Sequence, residues 1–268
     1  MKKLFTALFA LCVVLSFASC AKGGSNQNET SNQSGNTEIS ETAKKSRKDK
    51  EDETTQEPTT KNQPLAANWD YAYALETPRV ADTDDEWNLI LVNRDYVLPE
   101  NYIDSVELVN VCSTDERLDK RVAEHYEEMF NAAAADGLYL TPCSGYRSYE
   151  LQKRNFQNRI DMCMGQGMTM AEATVEASKV ILPPGTSEHN AGIAMDIICV
   201  LDSFEDTAHY AWLCENAQDY GFILRYPKDK QDITKIVFEP WHWRYVGVEA
   251  AREMKKSGEC LEEYILNH

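Results

Sequence analysis

Ser187-Glu188-His189-Asn190-Ala191-Gly192-Ile193-Ala194-Met195-Asp196-Ile197-Ile198-Cys199-Val200 is the stretch on which the reading of this chain turns. Ile193–Val200 is a short apolar run with the character of a buried strand. His189 precedes it and Asp196 lies inside it. A second stretch, Glu239-Pro240-Trp241-His242-Trp243, holds another of the five histidines, the rest being His125, His209 and His268. Imidazole nitrogen and carboxylate oxygen are zinc ligands, and three protein ligands plus one open position make a catalytic zinc site. His189, Asp196 and His242 supply those three if the strand beginning near Ile193 lies beside the strand carrying His242. Glu239, three residues before His242, is then placed to accept a proton from water acidified by the metal toward a pKa of about 7. On spacing alone, the same four residues also fit a coincidence in a chain of 268 residues.

Around these stretches the local signals alternate between helix and strand. Ser113 with Glu116 has the form of a capping box before Leu118, Val122, Tyr126, Met129 and Ala133, an amphipathic helix ending near Gly137. Leu138–Ser144 alternates like a strand and runs into Gly145-Tyr146-Arg147. Ser148 caps a helix reaching about Gly165, and Thr169 with Glu172 caps another through Val180, broken by Pro183-Pro184-Gly185. Asp206–Tyr220 reads as a helix closed by Gly221. Phe222–Arg225, Ile236–Phe238 and Trp241–Tyr245 are short strands, and Gly247–Lys256 is a last helix. Helices early and short strands late give an α+β class, with a small antiparallel sheet flanked by helices.

Composition divides the chain in three. Residues 1–20 begin with Lys2 and Lys3, run apolar to Phe17 and end in Ala18-Ser19-Cys20, the form of a signal peptide and too short for a membrane span. Residues 21–66 are polar, without an aromatic residue, and cannot bury enough apolar surface to offset the entropy of ordering; they read as a disordered tether. Residues 67–268 form the folded unit, with 18 basic against 36 acidic side chains and a net charge of −18. That charge repels phosphate backbones and excludes nucleic acid as a partner. The unit holds Cys112, Cys143, Cys163, Cys199, Cys214 and Cys260, an even count that favours disulfides in an exported protein, with buried free thiols as the alternative. No CxxC pair offers a thiolate zinc cluster.

Ser144-Gly145-Tyr146-Arg147-Ser148, Ser187-x-His189-x-x-Gly192-x-Ala194-x-Asp196 and Glu239-x-x-His242 resemble, in order and spacing, the VanY-type D-alanyl-D-alanine carboxypeptidases of the M15 zinc peptidases. The connectors Trp87–Asn93, Pro183–Ser187 and Gly221–Pro227 are also similar to that family, so the resemblance covers about residues 86–248. It implies zinc held by His189, Asp196 and His242, and Glu239 as the catalytic base. It further implies Arg147 at the substrate's carbonyl or carboxylate end, with Gln152 and Ser187 as substrate contacts and Trp241 lining the pocket. The implied fold is the small α+β fold shared with the Hedgehog signalling domain. Ala18-Ser19-Cys20 resembles the lipobox of bacterial lipoproteins, with Phe17 in place of the usual leucine. It implies a lipidated Cys20 that tethers the domain to the membrane on its extracytoplasmic side.

Bland readings stand beside these. Arg147, in a strand-to-helix turn, either pairs with a surface acid or offers a planar fork to a carboxylate. Trp241, Trp243 and Tyr245 alternate with His242 and Arg244 as in any half-buried strand, and His125 and His209 read as ordinary helix residues. The function expected is zinc-dependent removal of the terminal D-alanine from peptidoglycan stem peptides. L,D-carboxypeptidase or D,D-dipeptidase action on the same substrates is the nearest rival. A non-catalytic zinc-containing wall-binding module is the rival from another class, and Glu239 speaks against it because a structural site needs no base. The sequence carries no signal of oligomeric state.

Overall fold

The computed structural model describes residues 69–83 and 86–268. The expected signal (1–20), the tether (21–66) and the Cys20 lipid site lie outside the described residues. Near the start, β1 (Arg79–Val80) pairs in parallel with β2 (Tyr96–Val97), and β3 (Leu108–Asn110) forms an antiparallel pair with β4 (Arg117–Asp119). Then come α1 (Lys120–Ala135), β5 (Pro142–Ser144), α2 (Tyr149–Gly165) and α3 (Met170–Ala177). The second half holds β6 (Ala194–Ile197), α4 (Ala208–Asn216), β7 (Phe222–Leu224), the single turn α5 (Gln231–Thr234) and β8 (His242–Tyr245). Two helices, α6 (Val248–Ser257) and α7 (Leu261–Asn267), close the chain.

The sheet that matters is antiparallel and runs β5-β6-β8-β7. In its centre Ala194, Met195 and Asp196 face Arg244, Trp243 and His242. The α+β class with a small antiparallel sheet is as expected. The caps at the second and third helices are also as expected: Ser148 Oγ accepts from the Leu151 N–H at 3.2 Å, and Thr169 and Glu172 form a reciprocal capping box. Apolar residues of α1 (Val122, Tyr126, Met129) join Ile193, Met195, Ile197 and Trp243 in the main core. Full burial of such side chains contributes about 1.5–3 kcal/mol each, and Tyr126 keeps its hydroxyl satisfied on the Leu140 carbonyl at 2.6 Å.

Several boundaries differ from the sequence reading. The first helix starts at Lys120, and its cap is Asp119, whose carboxylate accepts the Arg121 N–H at 2.9 Å. Ser113 instead turns the β3–β4 connection at a φ of 56°, Leu118 lies in β4, and Glu116 reaches across to the Gly145 N–H at 2.7 Å. The expected Ile193–Val200 strand ends at Ile197, because Ile198 adopts a φ of 67° and the Cys199 N–H closes a three-residue turn onto the Ile197 carbonyl at 2.8 Å. A β-branched residue in that region is strained. The Asp206–Tyr220 helix is shorter, Ala208–Asn216, followed by a 3-10 turn, and Ile236–Phe238 forms no strand. The six cysteines of the folded unit are all free thiols, Cys163 and Cys260 being buried, so the favoured disulfide reading is corrected in favour of its alternative. Among the described residues no helix is long and apolar enough to cross a membrane.

Candidate metal centre and active site

Register builds the centre. Asp196 of β6 and His242 of β8 are cross-strand partners, so both side chains leave the same face of the sheet. His189 joins them from a 3-10 turn, Glu188–Ala191, which Gly192 ends at a φ of 72° before the chain enters β6. One donor atom from each of the three buried residues lies within 4.8 Å of the others. Asp196 Oδ1 stands 3.3 Å from His189 Nε2 and 3.1 Å from His242 Nδ1. Tetrahedral ligands about 2.0–2.1 Å from a zinc ion stand roughly 3.3–3.4 Å apart, so two imidazole nitrogens and a carboxylate oxygen at these separations fit zinc.

The outer nitrogen of each imidazole is already engaged. His189 Nδ1 donates to the Gly145 carbonyl at 2.8 Å, which leaves Nε2 facing the centre. His242 Nε2 donates to Glu188 Oε2 at 3.1 Å, which leaves Nδ1 facing it. Such partners fix tautomer and ring orientation in metal-binding histidines. The other oxygen of Asp196, Oδ2, accepts from Arg147 Nη2 at 2.8 Å.

Arg147 is held as firmly as the donors. Its backbone N–H donates to the His189 carbonyl at 2.9 Å, and its carbonyl accepts from Asn190 Nδ2 at 2.8 Å. Its Nε donates to Ser144 Oγ at 3.0 Å and its Nη1 to Gln152 Oε1 at 3.2 Å. The three bonds leave the second N–H of each terminal nitrogen for a substrate, and the side chain is 19% exposed. Gln152 itself is buried behind the arginine, its amide nitrogen donating to the Leu182 carbonyl at 2.7 Å. Ser187 is buried at the entry to the 3-10 turn, and Trp241 packs into the main core with 8% exposure.

Electrostatics divides the two acids of the centre. Burial pushes the Asp196 carboxyl up, but His189, His242 and Arg147 outweigh it and hold the group well below the carboxylate range. Burial raises Glu239 to about 8; His242 pulls it back in part, and Asp196 adds to the rise. Its Oε2 stands 3.8 Å from His242 Nδ1. Burial lowers His189, whereas in His242 the bonds to Asp196 and Glu188 overcome burial and raise the imidazole to about 9. One acid permanently ionised among cations and one poised near neutrality is the division that acid–base chemistry uses.

Every residue nominated from the sequence except Cys20 is therefore described, and His189, Asp196, His242, Glu239, Arg147 and Gln152 converge. Sequence reasoning assigned no role to Glu188 or Asn190, and it read Glu116 as part of a helix cap where the structure binds it to the Gly145 N–H. The signal for Glu188 was present in Arg225 and Arg244, two charged residues within otherwise apolar strand ends, which call for a buried counter-ion.

The comparisons with known proteins agree with this geometry. Residues 115–248 match the family model described as VanY, D-alanyl-D-alanine carboxypeptidase. A D-alanyl-D-alanine carboxypeptidase of Enterococcus faecalis is 43% identical over 193 residues, 71% of this chain and 70% of that protein. VanYB solved in complex with D-alanine-D-alanine is 44% identical with a TM-score of 0.61, covering 67% of this chain and 98% of that one. A variant of the D,D-pentapeptidase VanY from the VanB-type cassette, solved with Zn(II), has a TM-score of 0.60 at 44% identity over 67% of this chain and 99% of its own. The LdcB LD-carboxypeptidase is 40% identical with a TM-score of 0.58, covering 65% of this chain and 84% of its own. With its His–Asp–His donors, its buried acid and its fixed arginine all within the matched residues, this chain belongs to the VanY family of D-alanyl-D-alanine carboxypeptidases and is a zinc metallo-carboxypeptidase.

Proposed function

We propose that this protein removes the terminal D-alanine from peptidoglycan stem peptides, and that it does so with D,D selectivity. The observation that carries the reading is Glu239: a buried carboxyl raised to about 8, within 3.8 Å of the His242 nitrogen that faces the centre. A site that only stabilised the fold would gain nothing from an acid in that position.

His189 Nε2, Asp196 Oδ1 and His242 Nδ1 are the atoms that would hold the zinc. Bound there, zinc supplies Lewis acidity, polarising a carbonyl oxygen and making water nucleophilic near neutral pH. Glu239 takes the proton from the attacking water on a carboxylate oxygen and returns it to the departing amine nitrogen, so the released D-alanine leaves as a neutral amine without an added proton donor. Arg147 uses its remaining N–H pair on the terminal carboxylate of the peptide, and its bonds to Ser144, Gln152 and Asp196 keep that fork from turning. Gln152 thus serves the substrate through the arginine. Ser187 and Trp241, close to the two histidines in sequence, are assigned as contacts of the terminal residue on the family resemblance alone. The identity to D-alanyl-D-alanine carboxypeptidases supports D,D cleavage, while the similarity to an LD-carboxypeptidase gives L,D cleavage as the second reading. The Ala18-Ser19-Cys20 sequence supports lipidation at Cys20 and a membrane-anchored, extracytoplasmic place of work.

Incubation of the purified protein with pentapeptide and tetrapeptide stems, with and without chelator, tests the reading through released D-alanine. The pentapeptide should lose its terminal residue faster, and zinc should restore activity after chelation. Faster loss from the tetrapeptide would replace D,D by L,D, and no release from either would remove the proposal.

A further inference from the structure

Four ionic side chains lie inside the domain, away from the reacting atoms. Glu188, Arg225 and Arg244 are fully buried and Glu262 nearly so. Glu188 Oε1 accepts from Arg225 Nε at 2.6 Å and from Arg244 Nη1 at 2.8 Å, while its Oε2 faces His242. Arg225 turns its other two nitrogens onto Glu262 as a parallel pair of bonds, at 2.8 and 2.6 Å. Asn93, from the N-terminal part of the domain, donates to Glu262 Oε1 at 3.1 Å. Arg244 spends Nη2 on the Asn88 and Ile90 carbonyls and Nε on the Tyr245 carbonyl.

The two acids and two arginines balance in charge, and every bond made by the guanidinium groups is short. Such a buried set is a poor source of stability, because removing four ions from water costs about what their attraction returns, and apolar replacements of similar volume often do as well. What it delivers is a carboxylate fixed in position and kept ionised against the outer nitrogen of one metal ligand. An imidazole free at both nitrogens can present either of them; one that donates from Nε2 to Glu188 presents Nδ1.

We propose that Glu188 is the positioning residue for His242, and that α7 holds it in place through the Glu262–Arg225 pair, so that the end of the chain sets the zinc affinity of the centre. The inference rests on the zinc-site reading above but not on the choice of substrate. Without Glu262, Arg225 has one partner instead of two and draws on Glu188 alone, and the acceptor of His242 moves with it.

The test is zinc affinity of the full folded domain, measured by competition with a chromophoric chelator, with far-UV circular dichroism as the check on folding. Wild-type protein should bind one equivalent; no binding would overturn the zinc site and this inference together. Glu188→Gln should weaken zinc on the order of 10–100-fold, the usual effect of losing an outer partner of a metal ligand. Glu188→Asp retains the charge that Arg225 and Arg244 require, yet is one methylene too short to serve both arginines and His242. It should lose affinity while folding, and it decides the matter if the glutamine variant does not fold. Glu262→Gln should weaken zinc by about tenfold, and the double variant Glu188→Gln/Glu262→Gln should bind no more weakly than Glu188→Gln alone, because both act through one path. Wild-type affinity in a folded Glu188 variant would overturn the positioning role. Losses that multiply in the double variant would overturn the path through α7.

Discussion

Gly145→Ala should damage the metal centre without touching a ligand. A Cβ at position 145 would fall about 1 Å inside the roughly 3.3 Å that a carbon keeps from a carbonyl oxygen. The oxygen is that of Arg117 in β4, which already accepts the Tyr146 N–H at 2.7 Å. Met195 Cε, at 3.1 Å, belongs to a flexible side chain and yields, but the strand carbonyl does not. Position 145 must therefore move by about 1 Å, carrying with it the N–H bonded to Glu116 and the carbonyl that receives His189 Nδ1 at 2.8 Å. Lengthened by that much, the histidine bond lies beyond hydrogen-bond range. Overpacking of this kind costs about 1–3 kcal/mol and the lost bond about 0.5–1.5 more. At roughly 2–4 °C per kcal/mol for a domain of this size, the melting temperature in excess chelator should fall by about 3–18 °C. Zinc affinity should fall on the order of 10–100-fold, because His189 loses its orienting acceptor. Gly165→Ala, in the last turn of α2 with nothing within 4 Å, is the control and should be neutral or slightly stabilising. A Gly145→Ala protein with unchanged melting temperature and unchanged zinc affinity would refute the close-approach argument.

Glu239→Gln should keep its zinc and lose on the order of 10²-fold or more in kcat, whereas Arg147→Ala should lower kcat/KM; wild-type turnover by the first would remove the base from the mechanism. In the metal-free protein, His242 is raised from 6.5 to about 9 and Glu239 from 4.5 to about 8. Each contribution to stability is complete below the group's unfolded value and is lost as pH rises through the folded one, so chelated protein should melt progressively lower from about pH 4.5 to 9, most steeply between about 6.5 and 8 where both groups contribute. Zinc added at pH 7 must displace the proton on His242 Nδ1, and calorimetry in buffers of different ionisation enthalpy should find about one proton released, declining above pH 9; no release at pH 7 would contradict the raised imidazole. Cys20→Ala should shift the protein from the membrane fraction to the soluble or unprocessed one, and mass spectrometry of a mature N-terminus without lipid would reject the anchor.

Local chemistry was what the sequence expressed most clearly. Ser148 and Thr169 with Glu172 announced their helices because a cap is a bond between near neighbours. The donors His189, Asp196 and His242 were readable because their spacing reflects one strand pair and one turn. Ser113 and Glu116 were misread for the complementary reason. Their spacing imitates a cap, but Glu116 is bound to Gly145, far along the chain, and the cap passed to Asp119. The early end of the Ile193–Val200 run at Ile198 is likewise imposed by tertiary contacts, the Ile198 N–H being held by the Thr141 carbonyl at 2.8 Å. Gln152 showed its identity but not its place behind Arg147. The Glu188–Arg225–Glu262 set was hidden most deeply, since three separate segments must meet before any of its charges has a partner.

The pairing of β6 with β8 makes the metal a judge of how the sheet was assembled. Side chains alternate across a strand, so a slip of β6 by one residue would replace Asp196 opposite His242 with Met195 or Ile197 and turn the carboxylate to the opposite face. Mispaired molecules keep two imidazoles without the oxygen between them and bind zinc poorly. At a free zinc concentration about 100 times the dissociation constant, the in-register sheet gains roughly 2.7 kcal/mol over every slipped competitor, enough to change their ratio by about 100-fold. Zinc present while the chain folds thus proofreads strand alignment, and the same ion that later serves hydrolysis first selects which molecules are able to perform it.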